Sequence, residues 1–257
     1  MGEENPIPKE RRLPRVRLLH VLLVLLVGVC FLPLLKPFIR KHMPSVINLL
    51  RREDTVSGRV REFRAAVEAR RIPDFQRAGV PFPPEEILLF GIKDARVLRL
   101  LARQKGERWR FIRDYPFTAG SGDLGPKLRE WDMQIPEGAY RVESLNPNSC
   151  YHLSMRLDYP NAFDRAKAKG DGRTELGSDI FIHGSVASIG CIAIGDEPIE
   201  ELFVLAALTG VDAVTVIIVP VDFQVRELPD GISLPPWSEE LYGPLREAVR
   251  GLPGDDG

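Results

Sequence analysis

The chain has 257 residues, 44% of them hydrophobic, enough for one good core with appendages. Its 35 basic and 36 acidic residues leave a formal net charge of −1, which argues against a nucleic-acid partner held by global charge. The 22 glycines and 22 prolines fall short of a disordered composition, and three cysteines are too few for a disulfide framework.

Residues 1–17 form a basic N-terminal segment. The run Leu18–Leu35 carries no formal charge beyond a protonatable His20. It reaches the lower limit for a spanning helix, about 17 residues, and exceeds a signal-peptide h-region. No small-x-small cleavage site follows, and the bulky Val29 before Cys30 makes a poor lipoprotein site. The reading is an uncleaved transmembrane signal anchor over 18–35, a single helix in the membrane. Basic residues flank it equally on both sides, so charge leaves its orientation open.

Residues 36–84 read as a basic, proline-punctuated connector. Within it Val56, Val60, Phe63 and Val67 recur at helical spacing over 56–71, and Pro73, Pro81, Pro83 and Pro84 then favour extended chain. From Glu85 the period becomes strand-like. "ILLFGIK", "RVLRLLAR" and "RWRFIRDYPFTAG" are short apolar runs bounded by glycine and charge. "CYHLSMRLDYP" alternates, with Tyr151, Leu153, Met155 and Leu157 on one face and Cys150, His152, Ser154 and Arg156 on the other. "DIFIH" and "CIAI" are two more short strands. "DEPIEELFVLAALTG" is the best helix, with Asp196 as its expected cap, Pro198 in its first turn and Gly210 as its stop. "AVTVIIVPVDF" reads as a buried strand. These elements predict a mainly β domain over 85–227 with one main helix, and a tail over 228–257 with a short amphipathic helix.

"GSGDLG" (120–125) fits G-x-G-x-x-G, but Pro126 follows at once and no helix opens there to meet a pyrophosphate, so it is a glycine loop. No His/Cys/Asp/Glu cluster has metal-ligand spacing, and nothing calls for a cofactor. The segment that carries chemistry is "IHGSVASIGCIAIGD" (182–196). His183 ends one short strand and Cys191 begins the next, so the loop between them can bring imidazole and thiol together. A cysteine attacks as its thiolate, and a nearby histidine can take the proton and hold the thiolate as an ion pair. Ser188 and Gly190 would let backbone N–H groups turn towards an oxyanion. The alternative is a small buried thiol with no chemistry, the commonest fate of a free cysteine. His152 either lines the cleft or is an exposed strand histidine; Gly184 either admits substrate backbone or makes a tight turn. Cys150 beside His152 reads as an inert thiol.

"IHGSVASIGC" resembles the catalytic signature of the L,D-transpeptidase (YkuD-type) family, in which a histidine-glycine pair precedes an S-x-G-C nucleophile loop. "SGDLGPKLREWDMQIPEGAYRV", "NPNSCYHLSMRLDYPNAFDRA" and "IGDEPIEELFVLA" resemble further blocks of its YafK-like branch, in the family's order. The resemblance covers roughly 85–225. It implies a β-rich YkuD-like domain acting on peptidoglycan stem peptides, with Cys191 as nucleophile, His183 as base, and Ser188 and Gly190 in the oxyanion loop. It also implies a thioester that passes to an amine or to water, and a domain facing the periplasm with its anchor in the inner membrane. The chain departs from the commoner pattern at Ile189, where that pattern has histidine, and at Ala193, where it has arginine or asparagine. Neither side chain can hydrogen-bond an acceptor, so hydrolysis is expected to outrun cross-linking. The same departures are what a catalytically inactive wall-binding domain would show.

Overall fold

The computed structural model describes residues 54–254. One compact unit spans Asp54–Gly257. The apolar run 18–35 lies outside the described residues; among those described, no helix is long and apolar enough to cross a membrane.

Helix α1 (Val56–Ala78) opens the unit. Thr55 caps it by accepting from the Gly58 N–H at 3.0 Å, and Gly79 closes it at φ 70°. The helix passes through Pro73, where the local signal predicted its end. Packing overrides that signal, because Val67 and Phe75 are both fully buried, two turns apart on one face. Residues 54–84, read as connector, thus belong to the folded unit.

Eight strands follow: β1 (Glu86–Ile92), β2 (Val97–Arg103), β3 (Arg110–Pro116), β4 (Gly138–Asn146), β5 (Ser154–Leu157), β6 (Phe181–His183), β7 (Ile192–Ala193) and β8 (Val214–Val219). They form one sheet in the order β3-β2-β1-β8-β4-β5-β6-β7. The pairs β1–β8 and β6–β7 are parallel and the others antiparallel. The central strands are apolar almost throughout because both sheet faces are covered. Ile87, Leu89, Val216 and Ile218 join the larger core, whereas Leu88, Phe90, Ile217 and Val219 join the smaller.

Four α-helices among the described residues cover those faces, where the sequence pattern suggested one main helix. Besides α1 they are α2 (Ala162–Gly170), α3 (Asp196–Thr209) and α4 (Ser238–Val249). Helices α1 and α3 serve the larger core through Phe75, Ile199, Leu202 and Phe203. Helix α4, expected in the tail, serves the smaller through Leu241, Tyr242, Leu245 and Val249. Helix α2 was missed because it is short and mostly polar; a capping box between Asn161 and Asp164 sets its start. Glu201 on α3 anchors α1 from within: it accepts from Arg70 Nε at 3.0 Å and from the Tyr115 hydroxyl at 3.0 Å. The fold thus places the short pair β6–β7, which carries the histidine-cysteine segment, at one edge of the sheet.

Candidate active site

His183 ends β6 and Cys191 immediately precedes β7. The parallel register pairs Ile182 with Ile192 and His183 with Ala193. Side chains alternate along a strand, so His183, Ala193 and Cys191 share one face. Cys191 lies two residues before the position opposite His183, roughly 6.6 Å of extended chain. Continuing the register one residue ahead of β7 sets Cys191 diagonal to His183, and the hydrogen bonds of the two side chains go to the Gly184 and Asp179 carbonyls.

The His183 ring is 1% exposed, and its Nδ1 lies 2.6 Å from the Gly184 carbonyl oxygen. A carbonyl only accepts, so Nδ1 donates and Nε2 keeps its lone pair. Burial lowers the ring's pKa below the ordinary histidine value, against the raising effect of the Gly184 bond. Burial thus favours the neutral ring.

Cys191 is partly exposed as a residue, and its Sγ contacts the Asp179 carbonyl oxygen at 3.7 Å. Burial raises the thiol above its ordinary range; a backbone hydrogen bond from Phe181 and the charge of Lys127 oppose this. Desolvation of both groups works against the ion pair expected from the sequence and favours the neutral thiol and the neutral imidazole.

Ser188 and Gly190 each make a hydrogen bond in the loop around Cys191. The Ser188 hydroxyl donates to the Cys191 carbonyl oxygen at 2.6 Å, and the Gly190 N–H donates to Ser121 Oγ at 2.7 Å. Both groups are engaged in shaping the nucleophile loop. Gly190 has φ 98°, and a Cβ there would lie 3.1 Å from the Gln134 carbonyl oxygen. The glycine loop 120–125, dismissed as a nucleotide site, supplies the serine that holds this turn.

Gly184 does not open the backbone to substrate. A Cβ there would meet Asp196 Oδ1 at 2.6 Å and the Tyr151 carbonyl oxygen at 2.7 Å. Asp196, expected to cap α3, instead accepts from the Ser185 N–H at 2.7 Å, and Gly195 takes the cap position. His152 lies outside β5, in a turn at φ 72°, and its Nε2 bonds Glu200 Oε1 at 2.9 Å. It is neither a strand residue nor in contact with the thiol. The strand reading of 150–157 fails at its first four residues because this turn reverses the alternation.

Sequence reasoning missed Tyr151. Its ring stacks on that of His183, with centroids 4.5 Å apart and planes at 27°. Tyr151 is 37% exposed where the pattern placed it in the core. An aromatic residue beside a histidine was the available signal, but period-two alternation absorbed it. Ala193, taken as facing an acceptor, is fully buried, whereas Ile189 is 62% exposed and Val186 73%. The loop 128–134 flanks the nucleophile turn and is gathered by Asp132, which accepts from the N–H groups of Leu128, Arg129 and Gln134 and from Lys127 Nζ.

A family model described as the L,D-transpeptidase catalytic domain (YkuD) matches residues 87–219. The protein YafK of Escherichia coli (strain K12) is 38% identical over 113 residues. That match spans 43% of this chain and 43% of the relative, so the chain covers less than half the length of the curated relative it resembles. Among solved structures, the helical cell shape determining protein Pgp2 from Campylobacter jejuni aligns at 23% identity and a TM-score of 0.44, over 53% of this chain and 48% of that one. Bd1075 from Bdellovibrio bacteriovorus aligns at 23% identity and a TM-score of 0.39, with the same coverage.

Proposed function

Because the chain belongs to the YkuD family of L,D-transpeptidase catalytic domains, we propose that it is a cysteine acyl transferase acting on peptidoglycan stem peptides. The observation that carries this reading is the His183 Nδ1 bond to Gly184, which leaves the Nε2 lone pair for a proton from Cys191 at the start of the neighbouring strand.

Substrate binding closes the diagonal gap, since catalytic hydrogen bonds commonly tighten only in the complex. His183 Nε2 takes the thiol proton as Sγ attacks the peptide carbonyl carbon. The tetrahedral intermediate collapses, the C–N bond breaks, and the leaving amine receives that proton from His183. The thioester on Cys191 then meets an amine or water, whose proton passes to His183 and on to the departing sulfur. Starting from a neutral pair means that proton transfer and attack are coupled, with no thiolate standing exposed between turnovers.

Water is the preferred acceptor on this reading. A second peptide must be held near the acyl carbon with water excluded. Ile189 and Val186 in the nucleophile turn are 62% and 73% exposed, and neither side chain offers a hydrogen bond to orient an amine. Incubation of the protein with purified muropeptides, followed by mass analysis, separates the outcomes. Trimmed product dominating over cross-links, with both lost in Cys191→Ala, is the expected result. Cross-links dominating over a range of acceptor concentrations would reverse the choice of acceptor, and no product at all would count against the substrate class.

On the same reading the run 18–35 anchors the chain in the inner membrane and the domain faces the periplasm. Its support is the uncharged 18-residue run and the location of the substrate class. A reporter active only outside the cytoplasm, fused after Gly257, is expected to be on; a silent fusion with a working cytoplasmic control would contradict the topology.

A further inference from the structure

Tyr151 lies over the candidate base, and the turn that carries it is tied to two helices. His152 adopts φ 72°, a left-handed conformation that costs a non-glycine residue about 1 kcal/mol or more and persists only where its surroundings hold it. Here they do. The Glu200 carboxylate on α3 can only accept, so His152 Nε2 donates to it across 2.9 Å. The His152 ring also meets the edge of Phe63 on α1, with centroids 5.6 Å apart. Arg70 on α1 reaches Glu200 at 3.8 Å and Glu197 at 3.5 Å. On the other side the Tyr151 N–H donates to Ser149 Oγ at 3.1 Å, and the Leu153 carbonyl accepts from the Gly184 N–H at 3.2 Å.

We propose that Tyr151 is the positioning residue for His183, and that the His152–Glu200 pair holds Tyr151 in place, so that the α1–α3 contact sets the base. The inference rests on the reading of His183 as the base. The Gly184 carbonyl pins one edge of the imidazole, which leaves the ring's tilt to be set by what packs on its face. The Tyr151 ring packs there, offset-stacked at a separation typical of aromatic pairs. It is partly exposed, so it stands between His183 and solvent while a nearly buried ring lies beneath. The strained turn thus serves a function that a regular strand could not, because continued alternation would aim Tyr151 into the core.

Near His183 stand Tyr151, stacked on its ring, Asp196 of α3 beyond Gly184, and Cys191 just before the neighbouring strand. Burial is the principal influence on its titration. Stripping the tyrosine ring from one face should hydrate the imidazole and bring its titration up towards that of an ordinary histidine.

The test is a ring-proton NMR titration of the full-length protein, with the His183 signal assigned by its loss in His183→Gln. In the wild type that signal is expected to carry an upfield ring-current shift and to titrate below the ordinary histidine range. Tyr151→Phe should keep both properties. Tyr151→Leu should lose the ring-current shift and titrate higher, while His152→Asn and Glu200→Gln should reduce the shift. Turnover of stem peptide should fall roughly tenfold or more in kcat for Tyr151→Leu with KM little changed, and Tyr151→Phe should rescue it. A His183 signal in Tyr151→Leu that matches wild type, or no rescue by phenylalanine, would overturn the proposal. The titration needs no substrate, so a protein that turned over no stem peptide would fail the proposed function while the NMR result still decided this inference.

Discussion

At the scale of residues, the site rests on two desolvated groups whose side-chain hydrogen bonds go to backbone carbonyls. Burial raises the Cys191 thiol and lowers the His183 imidazole, and the two shifts act in the same direction on the pair: both favour the uncharged forms. The alkylation rate of Cys191 should therefore rise only at a pH above the ordinary thiol value of about 8.5. A stopped-flow profile with a midpoint well below that value would show a standing ion pair and contradict the neutral resting state. Gly184 offers a second check. An added Cβ would press on a backbone carbonyl and on the Asp196 carboxylate, and the carbonyl cannot swing aside as a flexible side chain would. Gly184→Ala is expected to cost about 1–3 kcal/mol, read by chemical denaturation, and to reduce turnover by displacing the Tyr151 turn. An unchanged denaturation midpoint would mean that the turn is looser than the structure has it.

At the scale of elements, long strongly patterned segments were legible from sequence and short or strained ones were not. The runs over 87–103, the buried strand at 214–219 and the helix at 196–209 all declare themselves, because burial on two faces or one stripe demands a continuous apolar pattern. The turn at 150–153 does not, since a left-handed residue leaves the hydropathy pattern intact while reversing the direction of its side chains. The roles of Ser188 and Gly190 were equally hidden: their partners, the Cys191 carbonyl and Ser121, are matters of loop geometry that spacing does not encode. Helix α1 was cut short at Pro73 because local propensity spoke there and the tertiary contact did not. Its inclusion in the domain is testable. Phe75 is fully buried, and Phe75→Ala should destabilise the domain by about 3–5 kcal/mol in urea denaturation. A change under about 1 kcal/mol would mean that α1 is part of the connector and not of the folded domain.

At the scale of the whole molecule, one sheet carries the active segment at its edge while two helices on the larger core reach the same site from behind. Helix α3 contributes Asp196 near Gly184 and Glu200 near His152, and α1 reaches Glu200 through Arg70. The pairing of His183 with Cys191 on neighbouring short strands was legible, because the family signature lies within one short stretch; the stacked Tyr151 was not, because it lies in a turn well upstream. On the proposed function, Cys191 forms a thioester with a stem-peptide carbonyl. Its most direct test is rapid-quench intact-protein mass analysis with a tetrapeptide donor, followed by peptide mapping. An acyl adduct on Cys191, absent from Cys191→Ala and never found on Cys150, is the result this account predicts. Turnover of the donor with no adduct on Cys191, or undiminished turnover in Cys191→Ala, would contradict it.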